Sequence, residues 1–316
     1  MRVAVTGANG FLGRSVVRAL LQRGHQVRAW SRAQAAEQAP GVEWLSGNLG
    51  NSDDTDRLLV DVDVVVHLAG RAHVADKTVV QRQQFVEVNV GLTVDLAHAA
   101  IRHGVRRFVF ASSIGVLGSP SGAETPLTET SVPDPEGTYA RSKLAAEQEL
   151  FEVAPGGIEV TVVRPTLVFG AGAPGNVRRL VRLASSGIPL PLGNLSGKRS
   201  FVGVRNLSDL FALCCTHPQA AAQIFVAADD TALSVPEILE ALGAGLGRRV
   251  RIWSLPGSML TVAARLLGRS ADLAKMSAPL VVDATKARTL LGWQSHQSLY
   301  DAIRETAAAH RVNAVR

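Results

Sequence analysis

The stretch Val3-Ala4-Val5-Thr6-Gly7-Ala8-Asn9-Gly10-Phe11-Leu12-Gly13 decides the fold. Val3 to Val5 form an apolar run of a length suited to a buried strand. Three glycines follow at three-residue intervals, and then Val16, Val17, Leu20 and Leu21 recur with helical spacing. Strand, glycine turn and helix in that order make an anion cradle. Gly7 permits the tight turn, and Gly10 lets a pyrophosphate approach the amides at the helix N-terminus, where Phe11 and Leu12 stand. Gly13 lets helix and strand pack closely. The expected ligand is a dinucleotide.

At 316 residues the chain has room for one large domain or two modest ones. Hydrophobic residues at 47% and charged residues at 19% suit a globular enzyme and exclude a disordered chain. No apolar run approaches the length of a membrane span, and Met1 leads directly into the first strand, leaving no room for a signal peptide. Cys214 and Cys215 are adjacent, cannot join distant parts of a fold, and read as reduced core residues on a helix. A cytoplasmic location is expected. The net charge of +6 suggests anionic partners. Nucleic acid is not expected, because aromatics are only 5% and no RNA- or DNA-binding motif is present. A nucleotide cofactor and a phosphorylated substrate account for the same bias.

Gly24 stops the first helix, and His25 to Trp30 read as the second strand. The residue ending that strand meets the adenosine ribose in this type of fold, and an acidic side chain there would repel a 2′-phosphate. This chain has Ser31-Arg32 instead, and a guanidinium pairs well with phosphate. NADP is therefore favoured over NAD, with stacking of Arg32 on adenine and use of either cofactor as the alternative. Val42 to Leu45 give a third strand. Val62 to Ala69 give a fourth, nearly continuous in valine and so buried on both faces. It runs into Leu68-Ala69-Gly70, where small residues let a cofactor pass close to the backbone. His67 reads as a core histidine and His73 as a substrate contact. Phe85 to His103 read as one long helix with Val86, Val90, Leu96 and Ala100 inward. Asn89 within it either braces the active site or serves the fold alone.

The fifth strand, Arg106 to Ala111, ends in Ser112-Ser113. A polar loop then leads to Tyr139-Ala140-Arg141-Ser142-Lys143 at the start of a helix. Tyr139 and Lys143 stand four apart and share one helical face. A phenol with its ordinary pKa near 10 is a poor acid–base catalyst at neutral pH. A neighbouring ammonium, aided by a positively charged nicotinamide, is expected to lower it. Ser113 is placed to hydrogen-bond the substrate oxygen on which the phenol acts.

With these residues the chain resembles the extended short-chain dehydrogenases/reductases, in the nucleotide-sugar epimerase and dehydratase branch. The resemblance spans Thr6 to Gly13, Asn89, Ser113, Tyr139/Lys143, Arg164-Pro165, Arg199 and the closing Asp283-x-x-Lys286…Leu291-Gly292-Trp293. It implies an α/β fold: a Rossmann-type doubly wound parallel sheet over residues 1–165, with a smaller C-terminal substrate-binding lobe over 166–316. The two are interleaved, because strand 222–228 returns to the first domain. It implies that Tyr139 relays the proton, Lys143 holds the nicotinamide ribose and Ser113 polarises the carbonyl. Asn48 and Leu49 stand where related folds hold adenine, and Pro165 is counted among the cofactor's neighbours. Ile114 and Gly115 follow Ser113 where dehydratases carry an acid, which argues against dehydration.

Val160 to Arg164 read as the sixth strand. Gly170 to Asn176 form a loop into an amphipathic helix that Asn176 is expected to cap. By resemblance Asn176 and Arg199 meet the diphosphate of a sugar nucleotide. The segment after Arg199 departs from the family pattern, so Arg205 is a further candidate for that role. No metal is expected. The resemblance implies a homodimer formed through the helix after Phe85 and the helix bearing Tyr139. The function expected first is reduction of the C4 keto group of a UDP-linked 6-deoxy-N-acetylhexosamine in surface-polysaccharide synthesis. A UDP-hexose or UDP-N-acetylhexosamine 4-epimerase that retains its NAD uses the same residues. The rival of another class is a non-catalytic NAD(P)-binding redox sensor.

Overall fold

The computed structural model describes residues 1–316 except 34–39, 73–75, 77, 119–124, 267, 269 and 316. Val3, Ala4 and Val5 have no exposed surface and lie in β1 (Arg2–Thr6), which pairs in parallel with β2 (Gln26–Ser31) on one side and β4 (Val64–His67) on the other. β3 (Val42–Ser46), β5 (Arg107–Ala111), β6 (Glu159–Pro165) and β9 (Gln223–Ala227) complete a seven-stranded sheet in the order 3-2-1-4-5-6-9, all pairs parallel. The order reverses between β1 and β4, and in such sheets the crevice beyond the strands' carboxyl ends at that reversal receives the ligand. The valines of β4 are buried on both faces, as a parallel strand between two helical layers requires. β4 is shorter than the expected 62–69, because Leu68 to Gly70 leave the sheet.

One face of the sheet carries α1 (Phe11–Gln22) and α7 (Val204–Thr216), packed on each other; both cysteines are buried and free on α7. The other face carries α2 (Ser52–Leu59), α4 (Leu92–Arg102) and α5 (Gly137–Val153). The helix expected over 85–103 begins earlier. It runs as α3 (Val79–Val86), a π turn over Glu87–Gly91, and α4. Phe85 and Asn89 take its inner face, so Val86 is 54% exposed rather than inward.

The second core belongs to the C-terminal lobe. A small sheet of β7 (Leu167–Phe169), β8 (Arg199–Gly203) and β10 (Ala232–Leu233) packs with α6 (Gly175–Ser185), α8 (Val235–Leu246) and α12 (Leu299–Val315). α9 (Gly257–Leu266) and α10 (Ser270–Ser277) lie in the same lobe. The closing segment does not cap it. α11 (Thr285–Leu291) and Trp293 bury against β9 and α7 in the first core, and Trp293 Nε1 donates to the Asn206 carbonyl at 2.9 Å. Lys286 donates to the Ile224 carbonyl at 3.0 Å, and Glu129 accepts the Val226 amide at 2.8 Å. These bonds satisfy the outer edge of β9 and close the sheet to further strands. Among the described residues no helix is long and apolar enough to cross a membrane, and no cluster of His, Cys, Asp or Glu could hold a metal.

Candidate active site

The glycine turn at the end of β1 has the shape a dinucleotide requires. Gly7 sits at φ +67, and a Cβ there would lie 2.9 Å from the Ala69 amide nitrogen. A Cβ on Gly13 would lie 2.2 Å from the Gly7 carbonyl oxygen, so α1 packs on the turn as closely as backbones can. Gly10 is the N-cap of α1 and no side chain caps that helix, which leaves the Phe11 and Leu12 amides facing outward from an uncapped positive end. These residues fit a pyrophosphate. The end of β4 lies opposite: Thr6 Oγ1 accepts the Ala69 amide at 3.2 Å and meets His67 Nδ1 at 2.7 Å. His67 Nε2 meets Thr93 Oγ1 at 3.1 Å, and burial pulls the imidazole down to about 3. It is a neutral, satisfied core histidine.

Ser31 is buried and its hydroxyl donates to the Ala33 carbonyl, while Arg32 is exposed. Asn48 is exposed, with Oδ1 accepting the Gly50 amide at 3.1 Å, and Leu49 packs against the second core face. Pro165 ends β6 beside Ala227.

Ser113, Tyr139 and Lys143 come together at the carboxyl end of β5. Ser113 Oγ accepts the Gly115 amide at 3.1 Å and shares a hydrogen bond with the Tyr139 phenol. Lys143 Nζ donates to the Ala111 carbonyl at 2.9 Å and lies 4.4 Å from the centre of the Phe110 ring. Burial pulls this ammonium down to about 8, against the Glu147 carboxylate, which pushes it up. Burial also pushes the Tyr139 phenol up to about 12, against the Ser113 hydrogen bond, which pulls it down. The expected direction for the phenol is therefore reversed in the chain alone. Lys143 donates to a carbonyl, and the nicotinamide of an oxidised cofactor would bring a positive charge that favours the phenolate.

Asn89 is a brace. It has no exposed surface; its Oδ1 accepts the Arg71 amide at 2.7 Å, and its Nδ2 donates to the Arg71 carbonyl at 3.1 Å and to Ser142 Oγ at 2.9 Å. Ser142 in turn donates to the Tyr139 carbonyl at 2.8 Å. Gly70 fits into the same joint: a Cβ there would lie 3.0 Å from Asn89 Oδ1 and 3.3 Å from Lys143 Nζ. The sequence reading missed Glu147. It is buried, pairs with buried Arg164 at 2.5 Å and accepts the Ser112 hydroxyl. Its signal was the four-residue spacing 139, 143, 147 on one helical face.

The substrate candidates are more scattered. His73 lies outside the described residues. Asn176 does not cap α6: Pro174, in extended conformation, is the N-cap, and Asn176 is exposed in the first turn. Arg199 opens β8, is largely desolvated, and donates to the Ala278 carbonyl at 2.6 Å. Arg205 points to solvent and pairs with Glu305 at 3.0 Å, apart from the Ser113–Tyr139–Lys143 group.

A family model for the NAD dependent epimerase/dehydratase family matches residues 3–228, the span that holds the glycine turn and all three catalytic candidates. The chain belongs to that family. It is an enzyme of the extended short-chain dehydrogenase/reductase type. Along 97% of its length it is 35% identical to a UDP-glucose 4-epimerase from Vibrio cholerae, of which it covers 94%. Its fold matches that of a UDP-glucose 4-epimerase from Thermotoga maritima solved with UDP-glucose, with TM-score 0.79, 22% identity and coverage of 99% and 100% of the two chains. It also matches a UDP-glucuronic acid 4-epimerase from Bacillus cereus solved with NAD, with TM-score 0.79, 20% identity and coverage of 100% and 99%.

Proposed function

We propose that this enzyme moves hydride at C4 of a UDP-linked hexose or N-acetylhexosamine, with Tyr139 as the acid–base group. The observation that carries the reading is the hydrogen-bonded Ser113–Tyr139 pair, with Lys143 one turn further on, held at the strand ends beside a turn shaped for a pyrophosphate. A nicotinamide dinucleotide bound there supplies and receives the hydride. Tyr139 takes the proton from the C4 hydroxyl as that carbon is oxidised and returns it as the carbon is reduced. Ser113 donates a hydrogen bond to the same oxygen, where charge develops. Lys143 holds the nicotinamide ribose. Residues 166–316 supply most of the sugar-binding lobe, with Arg199 and Asn176 toward the diphosphate, and His73 is a further contact; Arg205, engaged with Glu305, is not among them.

The full-length likeness to a UDP-glucose 4-epimerase moves epimerisation ahead of the reduction expected first. Reduction of a UDP-4-keto-6-deoxy-N-acetylhexosamine stays as the second reading because Ser31-Arg32 puts a cation, not an acid, where a 2′-phosphate would lie. Purified enzyme that retains NAD and interconverts UDP-glucose or UDP-N-acetylglucosamine with its C4 epimer, without added cofactor, supports the first reading. Stoichiometric NADPH oxidation on a 4-keto sugar supports the second and defeats the first. No rise in melting temperature with UDP defeats both. The homodimer belongs to the same proposal. It would form through the helix after Phe85, where Val86 is exposed, and the helix bearing Tyr139, and light scattering tests it.

A further inference from the structure

The positive charge of this chain is not evenly spread. Residues 160–208 and 241–271 hold twelve of the 33 Lys and Arg residues and none of the 27 acidic ones. Three of the twelve pair with carboxylates, Arg164 with Glu147 at 2.5 Å, Lys198 with Glu237 at 2.6 Å and Arg205 with Glu305 at 3.0 Å. Arg248, Arg249, Arg251 and Arg265 are exposed, and among the described residues no carboxylate pairs with them. Arg248 donates instead to the Ser185 carbonyl at 2.7 Å, which joins this segment to the end of α6.

Large apolar side chains are exposed in the same stretch. Leu190 and Ile252 form a parallel bridge, with Leu190 buried. Alternation along the extended backbone turns Arg251 and Trp253 to the outer face, and Trp253 is 48% exposed. α9 follows within a few residues. Met259, Val262 and Leu266 are 57%, 54% and 84% exposed, while Leu260 packs inward at 9%. Positions i, i+3 and i+7 share one helical face, so α9 turns an apolar stripe to solvent with Arg265 at its side.

We propose that Trp253 and the outer face of α9 seat the C-terminal lobe on an anionic lipid surface. Interfacial attachment calls for an apolar helix face, an aromatic beside it and basic residues around it without acids. The stretch 241–271 supplies all of these. A nucleic acid would satisfy the arginines and leave the stripe in water. The attachment is peripheral and stands independently of the sugar the enzyme acts on.

The test is sedimentation of the full-length protein with vesicles of phosphatidylglycerol and phosphatidylethanolamine, against vesicles of phosphatidylcholine alone. The bound fraction is expected to be about tenfold higher on the anionic vesicles and to fall as salt rises. Joint substitution Val262→Asp and Leu266→Asp is expected to lower it about tenfold with melting temperature and circular dichroism unchanged, because both side chains are already in solvent. Brominated lipid is expected to quench tryptophan emission in the native protein and much less in Trp253→Phe. Equal binding to both vesicle types overturns the proposal. So does anionic binding that the joint substitution leaves intact. Light scattering that shows the joint variant falling from dimer to monomer also overturns it, by assigning the stripe to a second copy of the chain.

Discussion

Asn89 Nδ2 lies 2.9 Å from Ser142 Oγ, and the same side chain grips both backbone polar groups of Arg71. One amide thus ties the segment that follows β4 to the helix turn between Tyr139 and Lys143. Asn89→Ala leaves these buried groups unpaired and is expected to cost about 2 kcal/mol of stability. It is also expected to lower kcat about tenfold or more with a smaller change in KM, because the catalytic pair loses its position. Urea unfolding and steady-state kinetics check the two effects.

The glycines of the turn separate into two roles. Gly13→Ala drives a Cβ to 2.2 Å from the Gly7 carbonyl and 2.7 Å from the Ala8 Cα, both backbone, and is expected to cost about 3 kcal/mol. Gly10→Ala meets only the Gly7 oxygen, at 3.1 Å, and is expected to leave the fold nearly intact while weakening dinucleotide binding. Gly91→Ala, with nothing within 4 Å, is the control that should change neither. Melting curves and calorimetric titration with NAD distinguish the three.

Glu147 is the carboxylate partner of buried Arg164, and among the described residues the Arg164 Nη1 has no partner of its own. Glu147→Ala strands that cation and is expected to cost about 3–5 kcal/mol. The joint change Glu147→Leu and Arg164→Met, which removes both charges, is expected to recover most of it. Urea midpoints of the single and joint variants give the answer.

Lys143 sets a stability slope at alkaline pH. Its folded pKa of about 8 lies below the ordinary 10.5, so between those values the unfolded chain binds the proton that the folded chain has lost. Stability from this group therefore rises with pH across that window, by up to about 1.4 kcal/mol per unit, and is flat below it. Unfolding midpoints at about pH 7.5 and 9.5 should show a rise that Lys143→Met lacks.

What was legible in the chain was what lies close together along it. Gly7, Gly10 and Gly13 occupy one turn, and Tyr139 and Lys143 one helical face, so spacing alone places them. The brace from Asn89 to Ser142 and the Ser112–Glu147–Arg164 cluster join residues far apart in sequence, and no local pattern marks which buried polar groups will meet. Val86 was misplaced because the π turn after it shifts the phase that a uniform helix would keep. The four-residue spacing puts Lys143 one turn from Tyr139, but no local pattern shows that its ammonium donates to the Ala111 carbonyl or that burial raises the phenol in the chain alone.

The chain has two tyrosines, Tyr139 and the exposed Tyr300, so Tyr300→Phe leaves the catalytic phenol as the one tyrosine signal. Phenolate absorbance in that variant, followed from about pH 7 to 10.5 with and without NAD⁺, tests the central claim most directly. Without NAD⁺ Tyr139 should stay protonated throughout, in keeping with its pKa of about 12. With NAD⁺ the ionisation should move down into the observed range. A phenol that ionises identically in both samples would contradict the account.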